Sequence, residues 1–188
     1  MRRQIWSALR MLAVMTVVAG VLYPFAVTGV AQTIFPNQAN GSMTTFRGES
    51  VGSRLLGQSF VGDEYFHPRP SAVSYDAKAS AGSNLGPTNP RLLEQNEARA
   101  RSYRERNGLS PDVLVPVDAV TASASGLDPH ISPANARLQA PRVAQARGMS
   151  LNTVIRLIDE ATVRSGGGLL AEASVHVLEL NIALEEAN

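Results

Sequence analysis

With 188 residues, the chain has apolar material for one compact domain of the common ~100–150 residues plus an appendage, and not for a second core. A formal net charge of +1, from 17 Lys and Arg against 16 Asp and Glu, leaves no electrostatic footprint for nucleic acid, so no nucleic-acid partner is expected. The absence of cysteine excludes a disulfide framework and a thiolate metal site, and leaves export permitted but not required.

The first element in chain order is apolar. No acid, lysine or arginine lies between Arg10 and Arg47, and residues 11–35 read MLAVMTVVAGVLYPFAVTGVAQTIF, polar only at Thr16, Thr28, Gln32 and Thr33. As a helix at 1.5 Å per residue this stretch covers roughly 37 Å, enough to cross a ~30 Å hydrocarbon layer with some tilt. Arg2, Arg3 and Arg10 precede it, so the positive-inside bias predicts a cytoplasmic N-terminus (residues 1–10) and places the rest of the chain outside the cytoplasm. Pro24 removes a backbone donor in mid-span and predicts a kink, and Gly20 and Gly29 suit packing against other membrane helices. The competing reading is a cleaved signal peptide with Gly29-Val30-Ala31 as its small-x-small site. The apolar run continues past that site to Ile34 and Phe35 and exceeds the usual ~7–15 residues of such a segment. Both readings export the remainder.

Residues 36–46 turn polar and predict a short tether, with the exported soluble domain at 47–188. Residues 57–90 are dense in Gly, Pro, Ser and Asn and carry Phe60, Tyr65, Phe66 and Tyr75, which predicts a long ordered loop region pinned by aromatics. The single lysine, Lys78, lies here in Asp76-Ala77-Lys78-Ala79-Ser80. It belongs neither to a Gly-x-x-x-x-Gly-Lys-Ser/Thr loop nor to the Asp-Lys-Thr-Gly context of ion pumps, so any phosphoryl chemistry belongs to another chain.

Asn89-Pro90 reads as an N-cap and first turn, with a helix over 91–107 and Gly108 as its stop. Its surface is mostly charged, with Leu92, Leu93, Ala100 and Tyr103 as its main apolar positions, so one side stays wet or faces a partner. Residues 114–121, LVPVDAVT, alternate enough to predict an edge strand, weakened by Pro116. Ser132-Pro133 opens a helix running to Arg147 and stopped by Gly148, with Pro141 predicting a break or kink. Ser150 caps a helix over 151–163 with an apolar stripe at Leu151, Val154, Ile155, Leu157 and Ile158. Ser165-Gly166-Gly167-Gly168 reads as a turn, and 175–184 as a strand passing into a short helix. The mixture, without repeated strand-helix-strand units, is an α+β class: one N-terminal transmembrane helix followed by a small mixed domain.

The most catalytic-looking stretch is Leu127-Asp128-Pro129-His130-Ile131-Ser132-Pro133, where an imidazole two residues from a carboxylate suits a general base or a metal ligand. The spacing matches no recognised zinc pattern, and Asp128 and Ser132 suit turns and caps around the prolines equally well. Ser123, Ser125 and Gly126 lie upstream without a Gly-x-Ser-x-Gly elbow. Arg99, Arg101, Arg104 and Arg106, interleaved with Glu97 and Glu105, read as a solvated face, with an acidic partner or lipid headgroup as the alternative. Two functional readings compete with a non-catalytic one: an exported hydrolase using Asp128 and His130, and a tethered ligand-binding module, which requires a sizeable apolar pocket.

Taken in order, these stretches resemble the C subunits of bacterial Kdp potassium-transporting ATPases. The resemblance rests on a span ending TIFPNQANGS, then Gln58-Ser59-Phe60, Tyr65-Phe66 and Arg69-Pro70-Ser71-Ala72. It continues through Gly82-Ser83-Asn84-Leu85-Gly86-Pro87-Thr88-Asn89-Pro90 and VPVDAVTASASGLDPHISP, then Arg142-Val143-Ala144, Ala146-Arg147-Gly148 and VLELNIAL. Ala81 stands where the family pattern has glycine.

The resemblance implies an accessory, non-catalytic subunit of an ATP-driven potassium uptake complex in the bacterial inner membrane. Its implied partners are a channel-like potassium-translocating subunit, a P-type ATPase subunit and a very small fourth subunit, besides the lipid bilayer. The family is described as a catalytic chaperone raising the ATP affinity of the P-type subunit, so ATP is expected in the complex and no cofactor is assigned to this chain. The expected topology places the folded domain across the membrane from cytoplasmic ATP. By resemblance alone, Gln58, Ser59, Phe60, Arg69, Pro70, Asn84, Gly86, Asn89, Asp118, Asp128, His130 and Arg142 are candidates for partner contact or domain structure. No catalytic or metal-ligating residue is expected.

Overall fold

In the computed structural model, residues 1–164 and 171–187 are described; the expected turn at Ser165-Gly166-Gly167-Gly168 lies outside them. The apolar N-terminal segment forms one uninterrupted helix, Arg2–Ile34, 33 residues long and without a buried residue in its apolar window. It is built from α1 (Arg2–Val17), a π-helical turn (Val18–Leu22) and α2 (Tyr23–Ile34). The π turn sits immediately before Pro24, so the predicted kink is met by a local shift of hydrogen-bond register while the helix continues. Residues 36–46, expected as a plain tether, hold a helical turn, α3 (Pro36–Ala39), and strand β1 (Met43–Phe46). A hairpin joins β1 to β2 (Glu49–Ser53) across Arg47 and Gly48, both at positive φ, which is the two-residue turn that matches strand twist.

Beyond the hairpin the chain runs without helix or strand to α4 (Pro90–Arg106), as the Gly- and Pro-rich composition dictates. Asn89 caps α4, its carboxamide oxygen accepting the Arg91 N–H at 3.0 Å, and no α4 residue is buried. The expected strand over 114–121 is instead a one-turn helix, α5 (Val117–Val120), with Pro116 at its N-cap. The alternation fails because Leu114 and Val117 are both exposed. Asp118 is drawn inward instead, accepting from the Ser132 N–H (2.8 Å), the Ser132 hydroxyl (2.9 Å) and the Asn135 amide (3.0 Å).

The core is made by α6 (Pro133–Arg147), α7 (Leu151–Glu160) and α8 (Val177–Ala187) against a small antiparallel sheet. That sheet is β3 (His130–Ile131), β4 (Thr162–Val163) and β5 (Ser174–His176), in the order β3-β5-β4, with Ile131 and Thr162 both opposite Val175. Ser132 and Ser150 cap α6 and α7 as expected, each hydroxyl accepting an N–H three residues on at 3.1 Å. Gly148 ends α6 at φ +65°, a left-handed position where a Cβ is disfavoured. Helix α6 runs unbroken through Pro141; both Pro141 and Arg137, whose carbonyl loses its helical donor, are exposed residues. Helix α7 is three residues shorter than expected: Thr162 and Val163 pair with β5 instead.

The long loop enters this core at Phe66, which is fully buried. Among the described residues no strand pairs with residues 63–67; helix side chains take that role. The Asn181 carboxamide on α8 accepts the Phe66 N–H (2.8 Å) and donates to the Phe66 carbonyl (3.0 Å). Gln139 on α6 does the same for His67, at 2.8 and 3.1 Å. Arg142 donates to the carbonyls of Asp63 and Tyr65, and Arg147 to that of Glu64. A buried peptide group left without a partner costs about 1–3 kcal/mol, so the four side chains together hold the loop to the helices.

Replacing Asn181 with Ala orphans both polar groups of Phe66 and is expected to destabilise the domain by about 2–5 kcal/mol. Urea unfolding of the full chain in detergent, followed by far-ultraviolet circular dichroism, measures this; a loss below about 1 kcal/mol would contradict the assigned role.

Candidate functional site

The sequence-derived candidates fall into four groups, of which the first two meet where Asp118 lines one cleft with Arg69, Asp128 and His130. The first is the rim of β3. Asp128 accepts from the Arg69 guanidinium at 3.0 Å and from the His130 backbone N–H at 3.0 Å, and the His130 ring lies with Nδ1 3.4 Å from the same carboxylate. The His130 ring meets the His176 ring edge-on, centroids 5.0 Å apart, as their cross-strand pairing requires. His176 donates from Nε2 to the Arg54 carbonyl (2.7 Å), which ties the membrane-proximal hairpin to the sheet. Pro70 follows Arg69, whose carbonyl accepts the Tyr75 hydroxyl at 2.7 Å, closing the loop behind the pair. Gly57 is forced here: a Cβ would meet the Asp128 carbonyl oxygen at 2.6 Å, and its N–H donates to Leu127 at 2.7 Å.

This rim is a brace between loops. Burial alone would raise the Asp128 pKa, but hydrogen bonds from the His130 ring and backbone, together with the Arg69 charge, hold the carboxyl below its ordinary value. A carboxylate held ionised between two partners is a poor proton shuttle. Serine hydroxyls near it are committed locally: Ser125 accepts the Leu127 N–H at 3.1 Å, and Ser132 joins Asp118 and caps α6. Among the described residues no group of three His, Cys, Asp or Glu is placed to hold a metal ion.

The second place is the buried polar row on α6. Arg142, with a side chain only 7% exposed, donates to Asn107 and Gln139 at 3.0 Å each besides the loop carbonyls. Tyr103 bonds the Asn135 side chain at 2.9 Å; burial and the charge of Asp118 push its phenol far above the usual range. Asp118 thus belongs to this row through Asn135. The third place is an aromatic cleft that gathers Gln58, Ser59 and Phe60 with Phe46, Tyr65 and Ile182. Phe60 and Tyr65 rings stand 5.6 Å apart. The fourth, Asn84, Gly86 and Asn89, lies on the outer loop: Asn84 is exposed at φ +55°, Gly86 accepts the Asn89 N–H at 3.0 Å, and Asn89 caps α4.

Reading the sequence for site chemistry missed Gln139, Arg147 and Asn181. Their signal was present, since polar residues at 135, 139 and 142 recur at helical spacing beside the apolar row Ala136, Ala140 and Val143. A polar stripe touching a core stripe marks side chains that must find buried partners.

Comparison with known proteins gives a single answer. Residues 5–186 match the family model described as KdpC, the K+-transporting ATPase c chain. A relative from Mycobacterium tuberculosis is 56% identical over 187 residues, covering 98% of this chain and 99% of its own, and carries the name potassium-transporting ATPase KdpC subunit. Identically named relatives from Rhodospirillum rubrum and Caulobacter vibrioides are 50% identical over 188 residues and 52% over 181. They cover 99% and 95% of this chain, and 97% and 90% of their own lengths.

The depressed Asp128 pKa has a signed consequence. Stability from this group is complete above the unfolded carboxylate range and is lost as pH falls through the lower folded value. Asp128→Asn is therefore expected to destabilise the protein at neutral pH, and the gap to the parent should narrow below about pH 4. Unfolding midpoints measured across that range test this; a gap that widens on acidification would contradict it.

Proposed function

This chain belongs to the KdpC family of K+-transporting ATPase c chains, and from that membership we propose that it works by assembly, its helix packed in the membrane and its domain held outside the cytoplasm. As a family member it is an accessory subunit of the Kdp complex and not the catalytic one. The observation that carries the reading is the family match over residues 5–186, joined to one helix, Arg2–Ile34, long and apolar enough to cross a membrane.

Orientation follows from the three arginines before the span and the uncharged run after it. On that orientation the domain sits over the external mouth of the channel-like subunit, while the helix packs in the bilayer beside its neighbours. The π turn, Gly20 and Gly29 allow such close packing. The P-type and small subunits complete the set of partners that the family resemblance implies. Any gain in ATP affinity of the P-type subunit, the chaperone role ascribed to this family, then travels through the span and the assembled partners. Cytoplasmic nucleotide and exported domain lie on opposite faces, and the chain's one lysine belongs to no phosphate loop.

The cysteine-free sequence makes the test direct. In intact cells, a membrane-impermeant maleimide should label Glu97→Cys and leave Ser7→Cys unlabelled until the membrane is opened. An affinity tag on the same chain should bring down the potassium-transporting subunits with it. Reversed labelling, or a chain that purifies alone, would overturn the reading.

A further inference from the structure

A cleft of about 170 Å³ opens beside the buried polar row, between α4 and the loop segment held by α6. Arg99, Ser102 and Arg106 line one wall, three and four residues apart and therefore on one helical face. His67 and Gln139 line the other, with Asn107 at the C-terminal end of α4. Among the described residues no carboxylate lines it. Behind it, buried Arg142 pairs with Asp63 at 4.0 Å, a carboxylate two-thirds exposed, and Asp118, hydrogen-bonded to Ser132 and Asn135, does not line the cleft.

Each of the two wall arginines spends one N–H on the protein, Arg99 on the Val120 carbonyl (2.9 Å) and Arg106 on His67 Nδ1 (2.8 Å). A guanidinium carries five donors, so several remain to face the cleft. His67 donates from Nε2 to the Gly62 carbonyl at 2.9 Å, which fixes the neutral tautomer with Nδ1 as acceptor.

We infer that this cleft is an oxyanion site, in which Arg99, Arg106 and the Nδ1 edge of His67 converge on a single phosphate or carboxylate group. The volume suits one such group with water, and lies below the roughly 300–1,000 Å³ of pockets that enclose a drug-sized ligand or cofactor. The inference does not depend on the assembly reading above. It also assigns Arg106 more than a solvated role: bidentate recognition of a planar or tetrahedral oxyanion is what a guanidinium does best.

His67 reports occupancy. Burial and the positive charges of Arg142 and Arg106 keep its pKa below the ordinary imidazole value, against the Gly62 hydrogen bond and the more distant Asp63. Arg99 and the neutral Tyr103 phenol complete its surroundings. An anion reverses the balance, because a protonated Nδ1 and the Arg106 N–H groups can then donate to the same ligand instead of opposing each other.

The test titrates the three histidines of the full chain in detergent by NMR, in chloride, acetate and inorganic phosphate at matched ionic strength. Saturating phosphate or acetate should raise the His67 pKa by about one unit, a tenfold preference for the protonated form. Response to both anions assigns a carboxylate-sized ligand; response to phosphate alone assigns a phosphate. Arg106→Gln should abolish the response. As a second variant that leaves the arginines in place, Ser102→Glu sets a carboxylate into the cleft from an exposed position, raising the His67 pKa without added anion and making phosphate ineffective. Identical His67 titration in all three salts, or a Ser102→Glu variant that leaves it unmoved, would overturn the proposal.

Discussion

The domain depends on how five consecutive residues, 63–67, are held. They pass from a turn, where the Tyr65 N–H meets the Gly62 carbonyl, into the core at Phe66, which is fully buried, and helix side chains meet their backbone groups. Asn181 and Gln139 each present one acceptor and one donor to the N–H and carbonyl of a single residue, copying the two bonds a neighbouring strand would make. Arg142 and Arg147 close the carbonyls before them. Arg147 also stacks 5.1 Å over the Tyr65 ring and pairs with Glu185 at 2.7 Å, so the end of α6, the loop and α8 meet at one point. Such a network has high stakes: fully satisfied it fixes one arrangement, and partly satisfied it is worse than an apolar contact.

The same device explains how a chain with 35 residues between β2 and the Asn–Pro opening of α4 stays ordered without further strands. Each long loop is fastened by polar anchors: residues 63–67 by α6 and α8, Asp128 by Arg69, the hairpin by His176, and α5 by the hydroxyl and amide that Asp118 accepts. The motifs that looked most chemical, Asp128-Pro129-His130 above all, are consumed by this fastening. That suits an accessory subunit better than it suits a reaction centre.

Much of this was legible in the sequence where the cause is local. Helix starts at Asn89, Ser132 and Ser150 and the stop at Gly148 follow from capping chemistry that needs only a few neighbouring residues. The apolar span and the aromatic-pinned loop were equally plain. The errors lie where distant contacts decide: residues 114–121 gave up strand alternation once Asp118 turned to Ser132 and Asn135, and Thr162 and Val163 left α7 to pair with β5. Among candidate residues, Arg142 belonged to the central network, while Gln139 and Asn181 went unnoticed because buried amides look ordinary until their partners, more than seventy residues away, are known.

Amide hydrogen exchange at Phe66 and His67, measured on the full chain in detergent, tests that network most directly. If carboxamides hold this backbone, both amides exchange as slowly as those in the buried turns of α6, although no strand or helix contains them. Exchange as fast as at exposed loop residues such as Asn84 would show that the side chains do not hold the segment, and the account of the fold would fail with it.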